Sequence, residues 1–355
     1  MKVLVLAPSK SIHTHKWATY YKQQGIDVTV VTFKDHYSEK NAKEINTEVL
    51  PKLLPGKLSY IMSVIALKKI LKTYKPDILH AHYASSYGFI GALTQYHPFF
   101  VSVWGTDVYQ FPQKNTVNRK ILEYTLRQAN VVCSTSKVMG EETKKYTDKP
   151  IEITPFGVDL TKFKPLDTRA VEDTLTIGTV KALSDNYGIG DLIHAFSQVH
   201  STYTNTRLLI VGEGPQRAEY EDLVQRLNLK DVVTFTGKVP NDEVPNYINQ
   251  IDIFAVPSTE RESFGVAVVE AMACGVPVVV SDVGGLPEVV KDGETGIIVP
   301  KRNPSKLAEA FISLIKDDSK RAEMGTNGIQ HVEENYNWTD NANGMISLYN
   351  QIVKE

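Results

Sequence analysis

The chain has 355 residues, 42% of them hydrophobic and 23% charged, with two cysteines, Cys133 and Cys274. That length suits two domains better than one core, the composition excludes a disordered or fibrous chain, and two distant cysteines in apolar settings exclude a disulfide framework or a cysteine metal site built from them alone. The net charge of −2 hides an asymmetry: residues 1–165 carry 23 Lys and Arg against 13 Asp and Glu, and residues 166–355 carry 16 against 28, so +10 faces −12. A basic first half suits an anionic surface or substrate, or is simply a lysine-rich solvated face.

The chain opens MKVLVLAPSKSIHTHKW. Its short apolar run lacks the length and cleavage site of a signal peptide and reads as a buried first strand. No stretch reaches the ~18–20 apolar residues of a spanning helix; the nearest, Phe264 to Val280, is broken by Glu270 and by Gly275 to Pro277. The expectation is a cytoplasmic protein that is not integral to a membrane.

Short β-branched runs then alternate with amphipathic stretches. Strands are predicted at 3–6, 27–31, 78–81, 100–103 and 131–134, and again at 175–179, 207–211, 232–236, 251–256, 276–281 and 296–299. Helical patterns fall at 15–24, 58–73, 191–201, 217–227, 241–250 and 304–316. Strands alternating with helices imply parallel sheets covered on both faces. The series restarts after the turn-rich segment Pro155-Phe-Gly-Val-Asp-Leu-Thr-Lys-Phe-Lys-Pro165. The fold class is therefore α/β, with two doubly wound domains, 1–165 and 166–338, and a last helix at about 339–355 packing back on the first. Ligands of such sheets bind beyond the carboxyl ends of the strands, so two such domains would enclose a small substrate in a central cleft.

The most informative segment is Ser258-Thr-Glu-Arg-Glu-Ser-Phe-Gly-Val-Ala-Val-Val-Glu-Ala-Met-Ala-Cys-Gly-Val-Pro-Val-Val-Val280. A strand, a polar loop, a helix from about Phe264 to Cys274 and a second strand follow one another. The helix is apolar nearly all round, so it should be buried, yet Glu270 sits in its middle. A buried carboxylate is costly unless hydrogen-bonded, so Glu270 meets either a structural partner or a ligand's hydroxyls. Free backbone N–H groups around Phe264, Gly265 and Val266 suit phosphate oxygens, and Gly265 allows close approach. Diphosphate, sugar hydroxyls and ribose hydroxyls are the groups that match. No Asp-x-Asp motif or cluster with ligand spacing suggests a metal, and no Gly-x-Gly-x-x-Gly follows a first strand, which disfavours a dinucleotide oxidoreductase.

Glu262-Ser-Phe-Gly, the seven residues between Glu262 and Glu270, and Gly275-Val-Pro-Val-Val resemble the donor motif of the family 4 retaining glycosyltransferases, of GT-B fold. Ser281-Asp-Val-Gly-Gly-Leu-Pro-Glu-Val-Val-Lys-Asp-Gly-Glu-Thr-Gly296, Val211-Gly-Glu-Gly-Pro215, Phe235-Thr-Gly-Lys-Val-Pro240 and Phe156-Gly-Val-Asp159 are similar to family segments in order and distance. The resemblance implies that Glu262 contacts the transferred sugar near the reacting carbon and that Glu270 bonds the donor ribose. The backbone of Phe264, Gly265 and Val266 would hold the diphosphate, with Ser263 in the same donor site. Val239 would read the base, with Gly212 in the same donor site. Lys181 falls near the family's diphosphate-binding arginine, and Tyr187 stands where the family usually adds a lysine. The implied reaction is metal-independent, retaining transfer from a nucleotide-diphosphate sugar, with UDP the expected carrier, which enters as substrate rather than cofactor. The alternatives are a noncatalytic sugar-nucleotide-binding partner of another transferase, and a nucleotide-sugar epimerase.

The first half, where the resemblance is weaker, would take the acceptor: a cell-surface glycan, glycolipid or related molecule, not a nucleic acid. Lys10, His13 and His15 lie in the loop after the first strand, where many relatives have a Gly-Gly. His82 ends a strand at the expected cleft edge, while His80 reads as packed within it. Trp104 takes the place of a family histidine and could stack on a sugar face or fill the core, with Asp107 as a polar contact. The stretch Leu58 to Lys75, with Ile61, Val64, Leu67, Ile70 and Leu71 beside Lys68, Lys69, Lys72 and Lys75, reads either as a basic amphipathic helix lying on the inner face of an anionic membrane or as an ordinary domain helix with a lysine-rich outer face.

Overall fold

The computed structural model describes residues 1–51, 58–166, 174–260 and 262–354. Contacts divide the chain into two units, Met1–Pro155 together with the residues from Asn341 onward, and Phe156–Asp340. The sequence sets the boundary at 165; in the contacts, the turn-rich segment after Pro155 goes with the second unit.

The first unit holds seven parallel strands: β1 (Lys2–Leu6), β2 (Asp27–Phe33), β3 (Asn46–Leu50), β4 (Ile78–His82), β5 (Phe99–Val103), β6 (Val131–Ser134) and β7 (Ile151–Ile153). Their order is β3-β2-β1-β4-β5-β6-β7. β1 lies in register with β2 on one side (Val3 opposite Val28) and with β4 on the other (Val3 opposite Ile78). The central strands are buried on both faces, as in Phe99–Val103, which is why they read as unbroken apolar runs. The predicted strands at 3–6, 27–31, 78–81, 100–103 and 131–134 are all present. β3 and β7 are additions at the two edges, where exposed residues such as Glu48 and Glu152 leave no apolar run to read.

The second unit has β8 (Leu175–Val180), β9 (Thr206–Val211), β10 (Val233–Gly237), β11 (Ile253–Val256), β12 (Val278–Ser281) and β13 (Gly296–Val299), in the order β10-β9-β8-β11-β12-β13. Its core joins Ile177, Ile210 and Ile253 from the sheet to Ile193 and Phe196 of the helix Ile189–His200 and Phe311 of the helix Pro304–Ile315. The latter starts as its sequence demands: Asn303 Oδ1 accepts the Lys306 N–H at 3.0 Å, and Pro304 occupies the first turn, where no N–H is needed.

The last helix spans Trp338–Lys354. Within the first unit Tyr349 of this helix is fully buried, its hydroxyl 3.1 Å from that of Tyr21 and 2.5 Å from His80 Nδ1. Tyr20 adds a hydrogen bond to Asn343 at 2.8 Å.

In a doubly wound sheet the strand order reverses at one point, and the loops there diverge to open a crevice at the carboxyl ends. The reversals fall between β1 and β4 and between β8 and β11. The residues that follow these four strands are those singled out by the sequence.

Candidate active site

In the second unit, Lys181 is the first residue after β8, and the loop after β11 carries Ser258 and Glu262. Although 81 positions apart, the Lys181 ammonium lies 2.5 Å from Glu262 Oε1, each side chain only 13% exposed. Ser258 Oγ donates to the same carboxylate oxygen at 3.0 Å, and the Ser258 carbonyl is held in turn by the Ser281 hydroxyl at 2.5 Å. Ser258 has no place in the resemblance, yet it fixes Glu262; its signal is only that it stands two residues past β11. The face of Tyr187 lies against Lys181, with the ammonium 4.7 Å from the ring centroid.

The backbone around Glu262 is set by its neighbours. The Gly285 N–H donates to the Glu262 carbonyl at 2.8 Å, and Gly284 has φ +54°. A Cβ on Gly284 would stand 2.0 Å from the Glu262 oxygen, so the paired glycines after β12 are the backing of the glutamate loop.

The helix after the loop spans Val266–Ala273 and begins at Gly265, with φ +105° and no side-chain cap. Gly265 holds a left-handed φ that a side chain rarely adopts, and a Cβ there would also press on a Leu286 methyl at 2.9 Å. Phe264 is buried, edge-on to Tyr336 and Phe156 at 5.4 and 6.2 Å; its side chain anchors the loop. Six of the eight helical residues are buried, and the two that are not are Val266 and Glu270. Four residues apart, they share one face. This corrects the sequence reading of a helix buried all round: Glu270 is half-buried on a stripe that runs up to the uncapped N-terminus. Ser263 and Val239 are likewise half-buried, and Gly212 turns back against β10 through a 3.0 Å bond from its N–H to the Gly237 carbonyl. Arg261 lies outside the described residues.

In the first unit, His13 in the first turn of the helix Ile12–Gln23, His82 at the end of β4 and Trp104 just after β5 come together. The His82 and Trp104 rings lie 4.3 Å apart at 35°, and His13 meets Trp104 edge-on at 6.0 Å. His82 is buried, and its Nδ1 has no hydrogen-bond partner among the described residues. His80 is packed, as expected: its Nε2 lies 2.8 Å from Ser102 Oγ and its Nδ1 reaches Tyr349. Lys10 and His15 turn aside, Lys10 to the Asp35 carbonyl at 2.5 Å and His15 to Glu44 at 3.1 Å.

Asp107 differs from its expected role as a contact for an incoming molecule. It is buried, and its carboxylate accepts three backbone N–H groups, from Ala84 at 2.8 Å, Trp104 at 3.1 Å and Gly105 at 2.9 Å. It ties the loop after β4 to the loop after β5.

Burial depresses all three imidazoles. It lowers His13 to about 4, helped by Lys16, and His80 to about 3. It carries His82 well below its ordinary value, with His80 and His13 adding to the shift. At neutral pH the cluster is uncharged. On unfolding, each ring regains a value near 6.5. Stability is therefore fully present above about pH 6.5 and is lost as pH falls toward the folded values, by up to ~1.4 kcal/mol per pH unit for each ring. Urea unfolding at about pH 7, 5.5 and 4.5 should show the midpoint dropping, with a shallower drop in His82→Phe. An equal drop in that variant would exclude His82 as a source.

Two family models match consecutive parts of the chain, glycosyl transferase 4-like over residues 2–136 and glycosyl transferases group 1 over residues 162–331. The structure has the GT-B fold, two Rossmann-like parallel-sheet units. The chain belongs to the group 1 glycosyltransferases of the family 4-like kind. An uncharacterized glycosyltransferase of Methanocaldococcus jannaschii is 26% identical, covering 92% of this chain and 90% of that one. A putative teichuronic acid biosynthesis glycosyltransferase of Bacillus subtilis is 24% identical, covering 71% and 72%. Among solved structures, Anabaena HepE in complex with UDP superposes with a TM-score of 0.86 at 20% identity, covering 99% of this chain and 100% of that one. Among the described residues no helix is long and apolar enough to cross a membrane, and no three His, Cys, Asp or Glu side chains gather as metal ligands.

Proposed function

We propose that this glycosyltransferase moves a sugar, with retention of configuration and without a metal, from a nucleotide-diphosphate sugar to a hydroxyl of a cell-surface glycan or glycolipid. The observation that carries this reading is the meeting of Lys181, Glu262 and an uncapped helix N-terminus at the strand-order reversal of the second unit. Cleaving a sugar–phosphate bond leaves charge on the departing diphosphate. A fixed cation and converging backbone N–H groups stabilise that charge as it develops.

In this reading Lys181 and the backbone of Ser263 to Val266 take the diphosphate, and Glu262, oriented by Ser258, takes the sugar hydroxyls. Glu270, on the same helix face as Val266, takes the ribose. Val239 and Gly212 lie at the base, and the ring of Tyr187 backs Lys181. UDP is the first carrier to test, since HepE is described with UDP and with UDP-glucose. The acceptor would meet His13, His82 and Trp104, an uncharged cluster suited to hydroxyl groups rather than phosphate. The teichuronic acid relative supports a surface glycan. The helix Leu58–Tyr74 supports work at the cytoplasmic membrane face: Ile65 is 63% exposed and Met62 38%, beside exposed Lys68, Lys69 and Lys72.

Thermal shift across a panel of nucleotide sugars, followed by transfer assays with the stabilising donor, tests the whole reading, since a ligand of the folded state raises the melting temperature. A panel with no shift and no transfer would end it. For Glu270→Gln we expect donor affinity about tenfold weaker by calorimetry, the loss of a charge-assisted hydrogen bond, with the protein still folded. Equal affinity would remove Glu270 from the ribose.

A further inference from the structure

The family's usual second cation is absent from the 181–188 segment, and its place is held by Tyr187. A phenol hydroxyl could donate to a phosphate, but the geometry gives the ring another task. Lys181 Nζ lies 4.7 Å from the Tyr187 centroid while its other side meets Glu262 at 2.5 Å. An ammonium over an aromatic face is attracted by the ring quadrupole and keeps its full charge. A carboxylate neutralises that charge, and a second lysine would repel it.

Both supports of Lys181 are themselves held. Its own N–H donates to the Val211 carbonyl at 3.0 Å and the Leu183 N–H to the Glu213 carbonyl at 3.1 Å, anchoring the start of the segment on the end of β9. The turn Asp185–Tyr187 closes through the Tyr187 N–H to the Ser184 carbonyl at 3.0 Å. That turn is pinned to the loop after β11, with the Thr259 N–H donating to the Asn186 carbonyl at 2.9 Å and the Thr259 hydroxyl to the Asp185 carbonyl at 3.0 Å. The ring that faces Lys181 and the loop that carries Glu262 thus form one braced corner.

We propose that Tyr187 is a positioning residue: its ring face, rather than its hydroxyl, holds Lys181 at the donor corner and does by placement what a second cation does by charge. The proposal rests on Lys181 being the diphosphate cation, and its test has an arm that needs no donor. In the ligand-free full chain with labelled lysine, the Lys181 ε-methylene protons, assigned by their loss in Lys181→Arg, should show an upfield ring-current displacement. Tyr187→Phe keeps that displacement and stays within about twofold of wild type in kcat and donor KM. Tyr187→Leu loses it and raises donor KM about 3–10-fold with acceptor KM unchanged.

Tyr187→Phe falling as far as Tyr187→Leu would overturn the proposal, because the hydroxyl would then be the active part; so would a Tyr187→Leu protein that keeps both signal and kinetics. If Tyr187→Leu does not fold, Tyr187→Trp carries the test. A larger face without a phenol should hold or lower donor KM, and a rise would overturn the proposal. Should wild type turn over no nucleotide sugar, the donor reading fails, while the resonance arm still decides whether the ring positions Lys181.

Discussion

Lys181→Met is expected to lower sugar transfer by about 10²–10³-fold, the usual effect of removing one preorganised group from the site of developing charge. The loss should fall mainly on kcat, with a smaller rise in donor KM, because the charge on the leaving diphosphate is greater in the transition state than in the bound donor. Among the described residues the side chain has no other evident duty. Its contacts are the Glu262 carboxylate and the Tyr187 face, both within the same corner. Methionine keeps the stem and removes the ammonium, leaving Glu262 with the Ser258 hydroxyl. The fold should survive, since the core of this unit lies in the sheet and its flanking helices.

Lys181→Arg should retain more activity than Lys181→Met, with loss where the planar fork fits the corner poorly. Unchanged kcat in Lys181→Met would remove the residue from the chemistry. Glu262→Gln in the same background separates two roles. If the pair is only structural, the double variant recovers what the single loses. If Lys181 acts on the donor, the double variant stays as low.

The sequence is legible wherever burial writes a pattern. The central strands of both sheets, buried on both faces, stand out as apolar runs, and the helix Trp338–Lys354 was readable to within a residue or so at its start. β3 and β7 were not, because an edge strand with one solvated side, such as Asn46–Leu50, has no such run. The glutamate motif and Lys181 were legible as a resemblance. What joins them was not, because the contact between Lys181 and Glu262 crosses 81 positions and obeys no period.

The same holds for Gly284 behind Glu262, for Ser258 beneath its carboxylate and for the ring of Tyr187 over Lys181. The helix after Gly265 misled in the other direction. Its composition predicts burial all round, but two residues on one face, Val266 and Glu270, are only half-buried. A stripe so narrow cannot be told from composition. It takes the packing of the other six residues to find it.

Asp107 shows how a polar residue near a site acquires a structural meaning only in three dimensions, and its replacement carries the largest stability effect expected here. Asp107→Ala should cost about 3–5 kcal/mol in urea unfolding, because it strips acceptors from three backbone N–H groups at buried positions, those of Ala84, Trp104 and Gly105. Asp107→Asn should cost less, about 1–2 kcal/mol. Its amide oxygen can still accept from Trp104 and Gly105, while its NH₂ faces the Ala84 N–H.

Burial also raises the Asp107 carboxyl above its ordinary value despite the backbone N–H groups that donate to it. Its charged form is thus the expensive one: the stability tied to the proton is present below the unfolded value and lost as pH rises through the folded one. A neutral amide avoids that loss and so recovers part of what it gives up in acceptors. Because the carboxylate sets the loop that carries Trp104 over His82, the alanine variant should also weaken acceptor use while donor affinity holds. An alanine variant as stable as wild type would mean that water replaces the three bonds and that the loop keeps its shape without the carboxylate.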